Sequence, residues 1–225
     1  MLRFLIFTIC FIYSSTSIAI GIVPKNDEMM FDIYRKGKNI GFHSIIFNKI
    51  DEQLQVTIDV KIKVKLGFIT IYKYSHENSE IWKENELIKI NTNSITNSKD
   101  KYELNGQQNL ENFEFIGIEG KQLTHKNIIP ISYWNRDILD NNEFLDTQKG
   151  IIRKSKKKFL KNELIVFNNK NINTKKYELR ILTKHSSDKK TVPEILLWYT
   201  FSGELMKLQF KSPEDNSIID YIRTI

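Results

Sequence analysis

This chain has very little cysteine, proline or glycine. Its 225 residues include one cysteine, four prolines and nine glycines. The cysteine, Cys10, lies in an N-terminal segment that reads as a removable signal, so a chain beginning at Ile20 has no thiol. Such a chain has no disulfides, cysteine nucleophiles or thiolate metal sites. Sparse proline and glycine suit long strands with few breaks. Sustained helical periodicity is also missing. So are a Gly-rich phosphate loop, a zinc signature, a Gly-x-Ser-x-Gly elbow and a recognisable carboxylate pair. The sequence therefore assigns no catalytic residue, no metal site and no cofactor.

What is present begins at the N-terminus. Arg3 precedes an apolar run from Phe4 to Tyr13, and small polar residues lead to Ser17-Ile18-Ala19. That order predicts a secretory signal peptide over residues 1–19, cleaved after Ala19. The apolar run is shorter than the roughly 20 residues a spanning helix needs, so no membrane anchor is expected after cleavage. Phe7-Thr8-Ile9 ahead of Cys10 lacks the small residue that lipidation requires. The expected protein is exported, periplasmic or secreted, with a short segment at 20–29 and one β-rich domain over 30–225. About 206 residues can bury roughly 70% of the unfolded surface, enough to hold a fold without disulfides.

The formal charge is +7. Lysine supplies nearly all of the excess, in a chain also crowded with Asn and Ile. This composition reads as a general bias and not as a surface made for an acidic partner. An exported chain without a recognition motif is not expected to bind nucleic acid. The densest run, Arg153-Lys154-Ser155-Lys156-Lys157-Lys158, places Arg153, Ser155 and Lys157 on one face and reads as a solvated strand edge.

Apolar residues recur at a period of two. Leu54, Val56, Ile58, Val60, Ile62, Val64 and Leu66 alternate with polar residues, which is a strand with one dry face. Strands are expected at Met30–Tyr34 and Ile40–Ile50, joined at Lys36-Gly37-Lys38-Asn39. Others follow at Phe68–Trp82, Leu87–Thr96, Tyr102–Gln107, Phe113–Ile118, Ile151–Phe159, Leu164–Phe167, Lys175–Leu182, Ile195–Phe201, Leu205–Lys211 and Ile218–Arg223. One short helix is expected at Trp134–Leu139. A sheet this long must curl to bury its apolar face. The expected fold is all-β: a single antiparallel meander curled into a barrel or half-barrel.

Two blocks are candidates for a binding site. On one face of the strand from Phe68, Tyr72 and Tyr74 lead into His76, Asn78, Glu80 and Trp82. Aromatic bodies with polar tips can line a semi-polar cavity. The plainer alternative is aromatics in the core and a polar end that emerges into water. His76 and Glu80 stand roughly 13 Å apart along a strand, too far to act as a direct pair. The second block is Pro130-Ile131-Ser132-Tyr133-Trp134-Asn135, where Tyr133 and Trp134 are expected to close a barrel end or cavity mouth. Leu145-Asp146-Thr147-Gln148-Lys149-Gly150 reads as a turn stabilised by Asp146.

These blocks, in order, resemble an uncharacterised bacterial exported family, the domain of unknown function numbered 6134. The resemblance is carried by Phe31-Asp32-Ile33-Tyr34-Arg35-Lys36-Gly37 with Ile40-Gly41-Phe42-His43, and by Phe68–Tyr74 with His76, Glu80 and Trp82. Pro130-Ile131-Ser132-Tyr133-Trp134 and Leu145–Gln148 with Gly150 complete it. Ile131 stands where the family pattern has threonine. The resemblance implies export and a β-rich fold and transfers no catalytic residue.

Three functions remain open at this point. One is a carrier that binds a lipid or other amphipathic small molecule through Tyr72, Tyr74, His76, Glu80, Trp82, Tyr133 and Trp134. Another is a hydrolase-type enzyme whose residues converge from several strands. The third is a structural or assembly partner in the cell envelope. The sequence leaves the oligomeric state open.

Overall fold

The computed structural model describes residues 23–225. The expected signal peptide, its cleavage site and Cys10 lie outside them. The described chain forms β1 (Glu28–Arg35), β2 (Lys38–Ile50), β3 (Gln53–Leu66), β4 (Ile69–Lys83), β5 (Glu86–Thr96), β6 (Asp100–Gln108), β7 (Asn112–Gly117) and β8 (Gly120–His125). After one 3₁₀ turn at Arg136–Leu139 come β9 (Glu143–Asp146), β10 (Ile151–Phe167), β11 (Lys170–Ile181), β12 (Ile195–Thr200), β13 (Leu205–Lys211) and β14 (Ile218–Arg223).

All fourteen strands join one antiparallel sheet in the order β8-β7-β6-β5-β4-β3-β2-β1-β14-β13-β12-β11-β10-β9. The meander has its chain ends in the middle of the sheet, where β1 pairs with β14, and its mid-chain break at the two free edges. The sheet curls without closing. Several hairpins turn on two residues with positive φ, at Lys36-Gly37, Glu84-Asn85 and Asn168-Asn169. That geometry matches the twist of the flanking strands, and Asn and Gly tolerate it best.

The alternation in β3 sets the register of the concave face. One row of paired residues runs Phe31, His43, Val60, His76, Ser94 and Tyr102 across β1 to β6. The next row toward one end runs Met29, Ile45, Ile58, Asn78, Thr92 and Leu104, followed by Phe47, Val56, Glu80, Ile90 and Gly106. At that end the mid-chain connector packs into the curl. Its Ile128, Ile129, Ile131, Trp134, Ile138 and Leu139 are all buried in the same core as Phe47, Leu54 and Trp82. Segment 129–131 also covers the outer edge of β9, where Ile131 N and Leu145 N donate to Leu145 O and Ile129 O, both at 2.9 Å.

The free edges approach through turns and not through a ladder. Ile118 N donates to Lys149 O at 3.0 Å, and Thr92 Oγ1 donates to Thr147 O at 2.7 Å. The contact is so close that a Cβ on Gly117 would lie 2.0 Å from Gly150 O. Only glycine fits there.

Several expectations need correction. The strands expected at Ile151–Phe159 and Leu164–Phe167 are one strand, because a bulge between Phe159 and Lys161 absorbs the break in alternation. The short strands β8 and β9 were not expected; neither is long enough to show a period. The expected helix at Trp134–Leu139 is a single 3₁₀ turn, capped by Asn135 Oδ1, which accepts from Asp137 N at 2.9 Å. Arg153 and Ser155 do not lie on a solvated edge: both are buried, and the alternate residues Lys154 and Lys156 are exposed.

Candidate functional site

The unstoppered half of the curl holds a cavity of about 800 Å³. Its apolar wall includes Ile58, Val60, Ile62 and Val64 from β3, with Leu208 and Phe210 from β13. Tyr72, Tyr74, His76 and Tyr133 also line it. Glu80, Trp82 and Trp134 lie beyond its lining, in the stoppered end.

In that end, Glu80 Oε2 accepts from Trp82 Nε1 at 2.9 Å and from Trp134 Nε1 at 3.0 Å, and Glu80 Oε1 accepts from Asn78 Nδ2 at 2.8 Å. Trp134 packs edge-on against Trp82 and Phe47, with ring centroids 5.5 and 5.3 Å apart. Burial raises the Glu80 carboxyl above its ordinary pKa, and these donors hold it part-way back. Glu80 therefore ties the connector to β4. The plainer expectation holds for the aromatics, since Trp82 is in the core and Tyr72 and Tyr74 pack against it, and fails for the polar end. His76, Asn78 and Glu80 are buried, and the apolar start at Phe68 stands in water. The connector supplies the indole donor and the cover that let a carboxyl stay buried there.

The cavity wall contains two buried histidines. His76 Nδ1 lies 2.7 Å from Ser94 Oγ, and its ring stacks on Tyr74. His43 sits between Phe31 and Tyr221, with Nε2 buried and unpartnered. Burial pushes His43 down to about 3, with His76 adding to the effect, and pushes His76 down to about 4. Both rings are neutral at pH 7. Asn78 Oδ1 is likewise buried without a partner. Burial raises the phenols of Tyr72, Tyr74, Tyr133 and Tyr221, so they remain protonated donors. Tyr133 takes a positive φ of 63°, and its carbonyl accepts from Tyr199 Oη at 2.7 Å.

At the cavity rim lies a cluster of charges. Arg153 reaches Asp188 through two nitrogens, Nη1 to Oδ2 at 2.7 Å and Nη2 to Oδ1 at 2.8 Å. Its Nε donates to Asp146 Oδ2 at 3.0 Å, and Nη1 also donates to Thr183 O at 3.0 Å. Lys149 Nζ donates to Asp188 Oδ1 at 2.7 Å and to the Ser187 hydroxyl and carbonyl. His185 then lies 2.8 Å from Glu119 in the turn between β7 and β8. The segment after β11 thus clasps both free edges of the sheet. Arg153 lowers the Asp188 carboxyl well below its ordinary range, against the opposing effect of burial. The expected Asp146 turn is present: Asp146 Oδ1 accepts from Gln148 N and Lys149 N, and Gly150 takes φ 62°.

Sequence reasoning passed over this cluster and His43. Two signals pointed to them. Arg153 is the one arginine in a lysine run, and a planar guanidinium suits bidentate pairing. His43 falls in phase with Ile45 and Phe47, on the buried face of β2. Among the described residues no group of three or more His, Cys, Asp and Glu is placed to hold a metal ion.

The row of residues from Phe31 to Arg223 that builds this curl is also the part of the chain with a family match. The model for the domain of unknown function DUF6134 matches residues 31–224. The chain belongs to the DUF6134 family. No curated protein matches it. Among solved structures, the DUF6134 chain is similar to the beta-barrel-like protein of domain of unknown function DUF1849 from Brucella abortus. The TM-score is 0.62 at 6% identity, covering 88% of this chain and 95% of that one. At that identity the likeness concerns the fold alone.

Proposed function

We propose that this DUF6134 protein is an exported, non-catalytic carrier that holds an apolar or amphipathic molecule in the open half of its curled sheet. The observation that supports it is the cavity. Its volume of about 800 Å³ falls within the range of small-molecule pockets, roughly 300–1,000 Å³. Its wall joins aliphatic side chains to a few polar ones, His43, His76 and Asn78 among them. Apolar walls give affinity, and such polar groups orient the ligand. The acidic groups nearby are already engaged: Glu80 accepts three donors, and Asp146 holds its own turn and Arg153.

The test is uptake of a fluorescent fatty-acid analogue, paired with native mass spectrometry after gentle purification. The wild type is expected to bind the probe and to carry a co-purifying lipid-sized mass. Val60→Trp, which fills the cavity from β3, is expected to weaken probe binding at least tenfold. A wild type that takes up no probe and carries no added mass overturns the reading. Export is checked separately by N-terminal sequencing of the envelope fraction, with Ile20 expected as the first residue.

A further inference from the structure

The β3–β4 hairpin runs past both of its neighbours. The last β3 residue paired with β2 is Ile62, and the last β4 residue paired with β5 is Tyr74. Lys73 is still held by Asn97 of the β5–β6 turn, whose N donates to Lys73 O at 2.8 Å and whose Oδ1 accepts from Lys73 N at 2.9 Å. From Lys63 to Tyr72 the hairpin is a two-stranded ribbon that stands about 13 Å beyond the sheet, at about 3.3 Å per residue. Its tip is apolar and uncovered. Phe68 is fully exposed, Leu66 and Ile69 are 71% and 69% exposed, and Ile71 is 51% exposed. Isolated exposed apolar residues are ordinary, but four on one projecting tip form a patch that marks an interaction site.

The charge on this ribbon is of one sign. Lys63, Lys65 and Lys73 are exposed just behind the tip, and no Asp or Glu occurs between residues 63 and 73. The acidic groups at the nearby rim, Asp100 and Glu214, are each paired with a lysine, Lys189 and Lys190. The ribbon is also continuous with the cavity: Val64, Ile71 and Tyr72 belong to its wall.

We propose that the hairpin tip is a docking element for an anionic lipid surface. Leu66, Phe68 and Ile69 insert at the head-group boundary, and the lysines behind them meet the lipid phosphates. An apolar tip with a basic collar is the arrangement that binds such a surface through buried apolar area and charge together. Docking stands without the carrier reading. Its use, to hold the cavity mouth against the bilayer while a lipid passes, rests on that reading.

The experiment is flotation of the full-length mature chain with phosphatidylcholine vesicles, with and without phosphatidylglycerol. Binding is expected only with the anionic lipid and is expected to weaken with salt. Phe68→Asp is expected to lower the bound fraction at least tenfold while fatty-acid probe affinity stays within twofold. Phe68→Trp supplies an independent readout, because Trp82, Trp134 and Trp198 are buried. Its added fluorescence is expected to shift to the blue on vesicles and to be quenched by brominated lipid. A wild type that ignores anionic vesicles, or that self-associates through the tip instead, overturns the proposal. So does a Phe68→Asp protein that binds them unchanged. Probe uptake without vesicle binding defeats docking alone, and vesicle binding without probe uptake defeats the carrier alone.

Discussion

At one end of the curled sheet, Glu80 receives two indole N–H groups and an amide, and the connector fills the space above it. Next to it, on the same strands and the same concave face, His43, His76 and Tyr74 line a cavity, and His43 Nε2 has no partner. Both ends are built by the same alternation in β2, β3 and β4. What differs is the cover. A buried polar group is tolerated when a second segment brings donors to it. One end of the sheet is therefore closed by the connector, and the other keeps the cavity.

The sharpest way to break this contrast is to empty the stoppered end. Trp134→Ala removes a buried ring and one of the Glu80 donors, and it is expected to cost about 3–5 kcal/mol in denaturant unfolding. Trp134→Phe, which keeps most of the ring volume and loses the N–H, is expected to cost about 1–2 kcal/mol. Equal losses would place the whole cost in the hydrogen bond to Glu80, and a Trp134→Phe protein as stable as the wild type would mean that the bond contributes nothing.

The clasp comes next. Arg153→Met leaves Asp188 and Asp146 without their arginine in a buried setting, and it is expected to cost about 3 kcal/mol. Adding Asp188→Leu is expected to restore part of that loss, because the buried carboxylate left with Lys149 as its one cation is then gone. A double variant no more stable than the single one would place the cost in packing instead.

The open end can be probed by pH. His43 and His76 are held down to about 3 and about 4, against an ordinary 6.5. The unfolded chain therefore takes up protons first as pH falls, and acid favours unfolding. Their stabilisation is complete above pH 6.5 and is lost progressively toward pH 4, by up to about 1.4 kcal/mol per pH unit for each ring. His43→Phe is expected to halve that slope in urea titrations run between pH 7 and 4.5. An unchanged slope would place the acid sensitivity elsewhere.

The smallest effect is expected at the hairpin tip. Phe68 touches water on all sides, so Phe68→Ser is expected to leave the thermal midpoint where it is. A marked fall would show that the tip packs against something in solution, which would end the contrast between a structural interior and a free tip.

Much of this was legible in the residues. Alternation over Leu54–Leu66 placed β3 and its dry face, and the absence of helical periods left only strands to build with. Lys36-Gly37 marked a turn because its backbone needs positive φ, which glycine accepts at no steric cost. The roles along β4 were not legible. Tyr72, Tyr74, His76, Glu80 and Trp82 share one face of one strand, and only the connector separates cavity wall from core among them. Arg153 reads as one more cation in a basic run until Asp146 and Asp188 are brought to it from 7 and 35 residues away.

The sequence by itself determined the strand class, most strand positions, the family and the dry side of β3. These follow from local rules: side chains alternate, and turns have their own residues. The tertiary structure decided which inward residues are covered and which face open space. That depends on how far the sheet curls, on where residues 126–142 fold back, and on how the segment after β11 clasps the edges. Such contacts join residues far apart in the chain, and no period in the sequence records them.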